Sequence, residues 1–120
     1  MSPLAVCIYL QNISTPIRAC YFVSGFAKTL DLNEEPYKSL NASFINSQLD
    51  WVKVRSNCKK FFCFAGNNDP YVSMDIAKDF ANRLNTELIV IPNGGHLSAE
   101  SGYTKFPQLL EKTKSLYEYN

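Results

Sequence analysis

FFCFAGNNDPYV, residues 61–72, runs through five apolar side chains. It then breaks into glycine, two asparagines and an aspartate ahead of a proline. A run that is apolar at every position, rather than at every second one, suits a strand covered on both faces, as in a parallel sheet. Working outward, the pattern recurs on either side. ACYFVS (19–24) stops at Gly25, and ELIVIP (87–92) runs into the polar loop NGGHLSAESGY (93–103). Between the second and third runs lies SMDIAKDFANRLN (73–85). Its apolar Ile76, Ala77, Phe80, Ala81 and Leu84 fall on one helical stripe, with Ser73 placed to cap the start.

Further out, FPQLLEKTKSLYEY (106–119) reads as a second amphipathic helix. Phe106, Leu109, Leu110, Leu116 and Tyr117 are expected to face inward, with Pro107 near the start. DWVKVRSN (50–57) reads as a short helix leading into the second strand. PLAVCIYLQ (3–11) reads as a helix with Pro3 in its first turn and apolar surface around nearly its whole circumference, so burial on several sides is expected. The polar segment 31–48 reads as a cap or connecting excursion with one short helix. The order strand, helix, strand, helix argues for an α/β fold with a parallel sheet and right-handed crossovers.

Composition narrows the function. The 120 residues are enough for one small domain; 46% are hydrophobic and 19% charged, with a net charge of +1. Twelve Lys/Arg are interspersed with eleven Asp/Glu, leaving no basic stripe for nucleic acid and no polybasic tail for a membrane. No apolar run approaches a membrane span. The opening MSPLAVCIYLQN has no basic n-region, so a cytoplasmic location is expected. Cys7, Cys20, Cys58 and Cys63 form no C-x-x-C, and one histidine completes no usual zinc set. Reduced thiols and neither metal nor cofactor are therefore expected.

In open parallel sheets, sites form beyond the carboxyl ends of the strands. Asp69 in GNNDPYV and His96 in NGGHLSAESGY, the sole histidine, both follow such ends. Taken singly, Asp69 before Pro70 is an ordinary turn pair and His96 an ordinary loop histidine. Neighbouring strands lie about 4.8 Å apart, so the two side chains are within reach of each other. A carboxylate beside an imidazole fixes its tautomer and makes it a general base.

These stretches resemble a known family. CYFVSGFAKTL, DWVKVRSNCKKFFCFAGNNDPYV and LIVIPNGGHLSAESGYTKFPQLLE are similar to the small α/β-hydrolase group of the bacterial YdeN proteins and retinoblastoma-binding protein nine, a set of serine hydrolases. The resemblance implies the C-terminal part of an α/β-hydrolase fold: about three parallel strands flanked by helices, as a single partial domain over residues 1–120. Carried across residue by residue, it implies Asp69 as triad acid and His96 as base. The substrate would be a small ester or amide.

Such a hydrolase needs a serine on a G-x-S-x-G elbow, and none occurs here. Ser24, in VSGF, lacks the preceding glycine and follows a different strand. The resemblance implies that Met1 stands just after the lost serine, with Ser2 at the elbow's last small position. The expectation is a portion of a hydrolase that is inactive by itself, arising from a gene model begun at an internal methionine, a split gene or a decayed copy. Its first strand would then expose an edge suited to association. The alternative is a non-catalytic interaction protein derived from this fold. Binding to the retinoblastoma protein is not carried across, because the L-x-C-x-E motif is absent.

Overall fold

The computed structural model describes residues 3–27 and 49–118. The excursion expected at 31–48 lies outside the described residues. The chain forms α1 (Pro3–Asn12), β1 (Ile17–Val23), α2 (Trp51–Ser56), β2 (Cys58–Gly66), α3 (Met74–Arg83), β3 (Leu88–Ile91) and α4 (Pro107–Glu118). The strands make one parallel sheet in the order β1-β2-β3, with β2 in the middle. This is the α/β arrangement expected from the continuous apolar runs.

The two faces of the sheet carry separate cores, because successive strand side chains alternate. On one face Phe22 and Cys63 pack with Cys7 and Leu10 of α1, Val54 of α2, and Phe80, Ala81 and Leu84 of α3. Phe80 meets Phe22 edge-on at 5.0 Å and Trp51 at 6.4 Å, geometries in which aromatic quadrupoles attract. Ala65, Val72 and Ala77 continue this layer toward the carboxyl rim. On the other face Phe64, Ile91 and Leu97 are buried beneath Tyr103, Phe106 and Leu109. Phe64 and Phe106 stand edge to face at 5.1 Å.

Local chemistry sets the element ends. Ser73 caps α3, its hydroxyl accepting from the Ile76 N–H at 3.3 Å. Asp50 caps α2 by accepting from the Lys53 N–H at 3.2 Å. The Asn57 amide donates to the Leu10 and Ile13 carbonyls at 2.8 and 3.2 Å, supplying partners where α1 ends.

Several boundaries depart from the sequence reading. β2 begins three residues earlier than the apolar run, because Cys58, Lys59 and Lys60 extend along β1. β3 is shorter than expected, Leu88–Ile91, and pairs only with Cys63–Gly66. β1 starts at Ile17 and stops at Val23, short of Ser24. In α1 only Leu4, Cys7 and Leu10 are fully buried, and Tyr9 is exposed, so burial follows one stripe rather than several sides. In α4, Leu110 and Tyr117 are exposed rather than inward. Each follows a stripe residue by one position, about 100° around the helix from Leu109 and Leu116. Tyr117 instead lies under the Arg18 guanidinium at 5.5 Å.

All four cysteines are free; Cys7, Cys58 and Cys63 are buried and Cys20 is half-buried. Burial pushes the Cys7 and Cys63 thiols up from an ordinary 9.0 to about 12, because an apolar environment disfavours the thiolate. Among the described residues no helix is long and apolar enough to cross a membrane.

Candidate active site

The polar loops after β2 and β3 meet at one rim of the sheet. Gly66 ends β2 at a point where only glycine fits: a Cβ there would collide with the backbone of Gly95 and Gly94. The next three residues then bind the histidine loop in succession. Asn67 Oδ1 accepts from the Asn93 N–H at 2.9 Å, and Asn68 Oδ1 accepts from the Gly95 N–H at 2.7 Å. Asp69 Oδ2 lies 2.8 Å from Nδ1 of His96. The Asn67 N–H donates to the Ile91 carbonyl at 3.3 Å, carrying β2–β3 pairing into the loops.

Asp69 is fixed by its own turn. Its Oδ1 accepts from the Tyr71 and Val72 N–H groups at 2.8 and 3.0 Å, an Asx turn that leaves Oδ2 for the imidazole. The aspartate side chain is 1% exposed and the histidine side chain 35%. The carboxylate is thus withdrawn from solvent while the ring stays reachable. An ionised carboxylate only accepts, so the contact selects the tautomer with hydrogen on Nδ1. Nε2 then carries the lone pair. The Tyr71 ring stands edge-on to the imidazole at 5.2 Å.

The histidine loop holds its shape by unusual backbone. Asn93, Gly95 and Leu97 have φ of 55°, 58° and 55°. A left-handed leucine is rare and persists only when its surroundings require it. Here Leu97 is buried against Phe64 and Ile91, and its N–H donates to the Gly94 carbonyl at 3.1 Å. Ser24, just past β1, also has φ of 55° and is buried. Its hydroxyl donates to the backbone carbonyl of His96 at 2.6 Å. Ser24 thus faces the histidine's main chain and not its ring.

The sequence reading placed Asp69 and His96 at neighbouring strand ends, and the structure brings their side chains together. It gives no role to Asn67 or Asn68 and weighs Ser24 only as a nucleophile. The signal for the asparagines was their position: two consecutive amides between a strand-ending glycine and Asp69. Among the described residues no group of three His, Cys, Asp or Glu is arranged to hold a metal ion. The cysteines belong to the core, away from this rim.

A parallel sheet with an Asp–His pair beyond its strand ends is the arrangement of the α/β-hydrolase class on its acid and histidine side. The profile of the serine hydrolase family matches residues 1–115, and the chain belongs to that family. It is similar to YdeN of Bacillus subtilis (strain 168), 27% identical over 95 residues, which cover 79% of this chain and 47% of that protein. It is also similar to the serine hydrolase RBBP9 of Rattus norvegicus, 26% identical over 100 residues, covering 83% of this chain and 50% of the relative. The chain spans about half the length of these relatives. The crystal structure of the B. subtilis YdeN product superposes with a TM-score of 0.83 at 24% identity, over 96% of this chain and 60% of that one. A YdeN-like hydrolase structure from Pectobacterium atrosepticum matches at a TM-score of 0.66 and 24% identity, over 97% and 55%.

Proposed function

We propose that this chain supplies the acid and the base of a Ser–His–Asp triad that hydrolyses a small ester or amide in the cytoplasm. Asp69 is the acid. It holds the imidazole with Nε2 outward and stabilises the imidazolium that forms. His96 takes the proton from a serine hydroxyl as that oxygen attacks the carbonyl, then returns it to the leaving group. The observation that carries this reading is the 2.8 Å contact between a buried carboxylate and a reachable imidazole at the carboxyl rim.

The serine comes from outside these 120 residues, which contain no G-x-S-x-G. The chain is therefore a partial hydrolase domain, inactive alone. Loss of a triad serine costs about a millionfold in rate in a serine protease where it is known. A fluorophosphonate probe, which reacts with activated serines, tests this. The chain alone should stay unlabelled. Joined to the complementary half of a YdeN-type hydrolase, it should label, and His96→Ala should abolish that labelling. Labelling that survives His96→Ala would remove the triad assignment.

The missing elbow also favours a second reading, a non-catalytic interaction protein. β1 pairs on one side only among the described residues, which leaves an edge for another strand. No labelling of the joined protein, together with concentration-dependent association of the chain, would favour it.

A further inference from the structure

We propose that Ser24 and Asn68 are positioning residues that clamp the main chain on both sides of the His96 imidazole. The inference rests on the triad reading and adds the device that aims its base. Asn68 Oδ1 holds the Gly95 N–H at 2.7 Å, just before the histidine. Ser24 Oγ holds the His96 carbonyl at 2.6 Å, just after it. The two contacts arrive from different strands, β2 and β1, and bracket two residues of a loop with alternating left-handed backbone. A side-chain hydrogen bond from Asp69 fixes where Nδ1 lies, but a ring pivots about its Cα–Cβ bond. Fixing the Gly95–His96 main chain sets the origin and direction of that bond, so that with Nδ1 held by Asp69 the ring is defined at both ends and the direction of Nε2 follows.

Ser24 itself argues for a role beyond packing. It is a buried polar residue with φ of 55°, a conformation glycine adopts at no steric cost. A residue serving the turn alone would be better as glycine. The hydroxyl is what glycine lacks, and that hydroxyl is spent on His96. Its N–H is separately bonded to the Phe64 carbonyl at 2.8 Å, an anchor that Ser24→Gly retains.

The chain has one histidine, so its two ring nitrogens give one unambiguous pair of signals in long-range 1H–15N spectra of the labelled protein. In the wild type the pair should show hydrogen on Nδ1. Ser24→Gly and Asn68→Ala should each lower the ratio of the Nδ1–H to the Nε2–H tautomer about tenfold, the weight of one well-placed hydrogen bond. Asn68→Asp, which keeps an acceptor oxygen, should restore the wild-type pattern. Wild-type ring signals in both Ser24→Gly and Asn68→Ala, with Asp69→Asn still altering them, would overturn the clamp and leave the dyad standing. If Asp69→Asn alters nothing, the triad reading falls and the clamp with it. Should Ser24→Gly fail to fold, Asn68→Ala decides alone, since that side chain is exposed.

Discussion

The loop that carries Asp69 and the loop that carries His96 are built on opposite layers of the molecule. The acid loop is seated by Val72, buried with Ala65 and Ala77 beneath α3. The histidine loop is seated by Leu97, buried with Phe64 and Ile91 on the face that α4 covers. The first uses ordinary backbone closed by an Asx turn, and the second needs three left-handed residues. The layers also differ in packing. α1, α2 and α3 each bury at least one side chain fully, whereas among the described side chains of α4, residues 107–117, none is fully buried. The dyad therefore joins a firmly packed layer to a more lightly packed one, and the asparagine contacts across the rim make the join reproducible. The base sits on the more lightly packed side and the acid on the more fully buried one.

The comparison is broken most severely at the dyad. Asp69→Asn preserves an acceptor for the Tyr71 and Val72 N–H groups but not the tautomer selection. In the joined enzyme, kcat should fall roughly ten-thousandfold, as in a serine protease triad, with little change in urea midpoint. A fall in stability to match the fall in rate would make Asp69 structural.

Next in size are the two aromatic anchors. Phe80→Ala and Phe64→Ala should each cost about 3–5 kcal/mol in urea unfolding, since both side chains are 1% exposed. They should differ at the site. Phe64→Ala removes the seat of Leu97 and should shift the His96 ring signals, whereas Phe80→Ala should leave them in place. Equal shifts from both would show that the layers are not independent.

Smaller again is an alkaline effect confined to the layer holding the thiols. Cys7 and Cys63 have their folded values raised from 9.0 to about 12, so the folded state retains protons that the unfolded chain releases. Their contribution is complete below about pH 9 and is lost as pH rises through about 12. Urea midpoints should fall across that window, and Cys7→Ala with Cys63→Ala should flatten the slope whatever their effect at pH 7. The smallest change is Ser73→Ala, which removes the α3 cap and should cost about 1 kcal/mol, read as a lowered melting temperature without altered ring signals.

The sequence made the central strand, the following helix and the Asp69–His96 juxtaposition legible, because burial on both faces and loop position leave strong patterns. Other features depend on partners distant in the chain. Lys59 and Lys60 look like loop residues and are exposed, yet they belong to β2 because β1 offers a ladder there. Leu110 and Tyr117 are apolar, and nothing local says that the inward stripe of α4 passes beside them. Asn67 and Asn68 read as turn formers, since an exposed amide has the same local signature whether it bonds water or a backbone N–H 26 or 27 residues away. Ser24 was dismissed as a nucleophile for sound reasons, but its bond to the His96 carbonyl spans 72 residues and has no local trace.

Gly94 follows Asn93, and in an Asn-Gly pair the glycine nitrogen attacks the side-chain amide carbon and expels ammonia, closing a succinimide that water opens to aspartate or isoaspartate. Here Gly94 is buried and its N–H is engaged by the Ile91 carbonyl at 3.2 Å. The native fold thus engages the attacking nitrogen, and isoaspartate at position 93 is expected to form more slowly in the folded protein than in the unfolded chain, which peptide mapping of stored samples would check. Its slow build-up is a chemical clock for that rim.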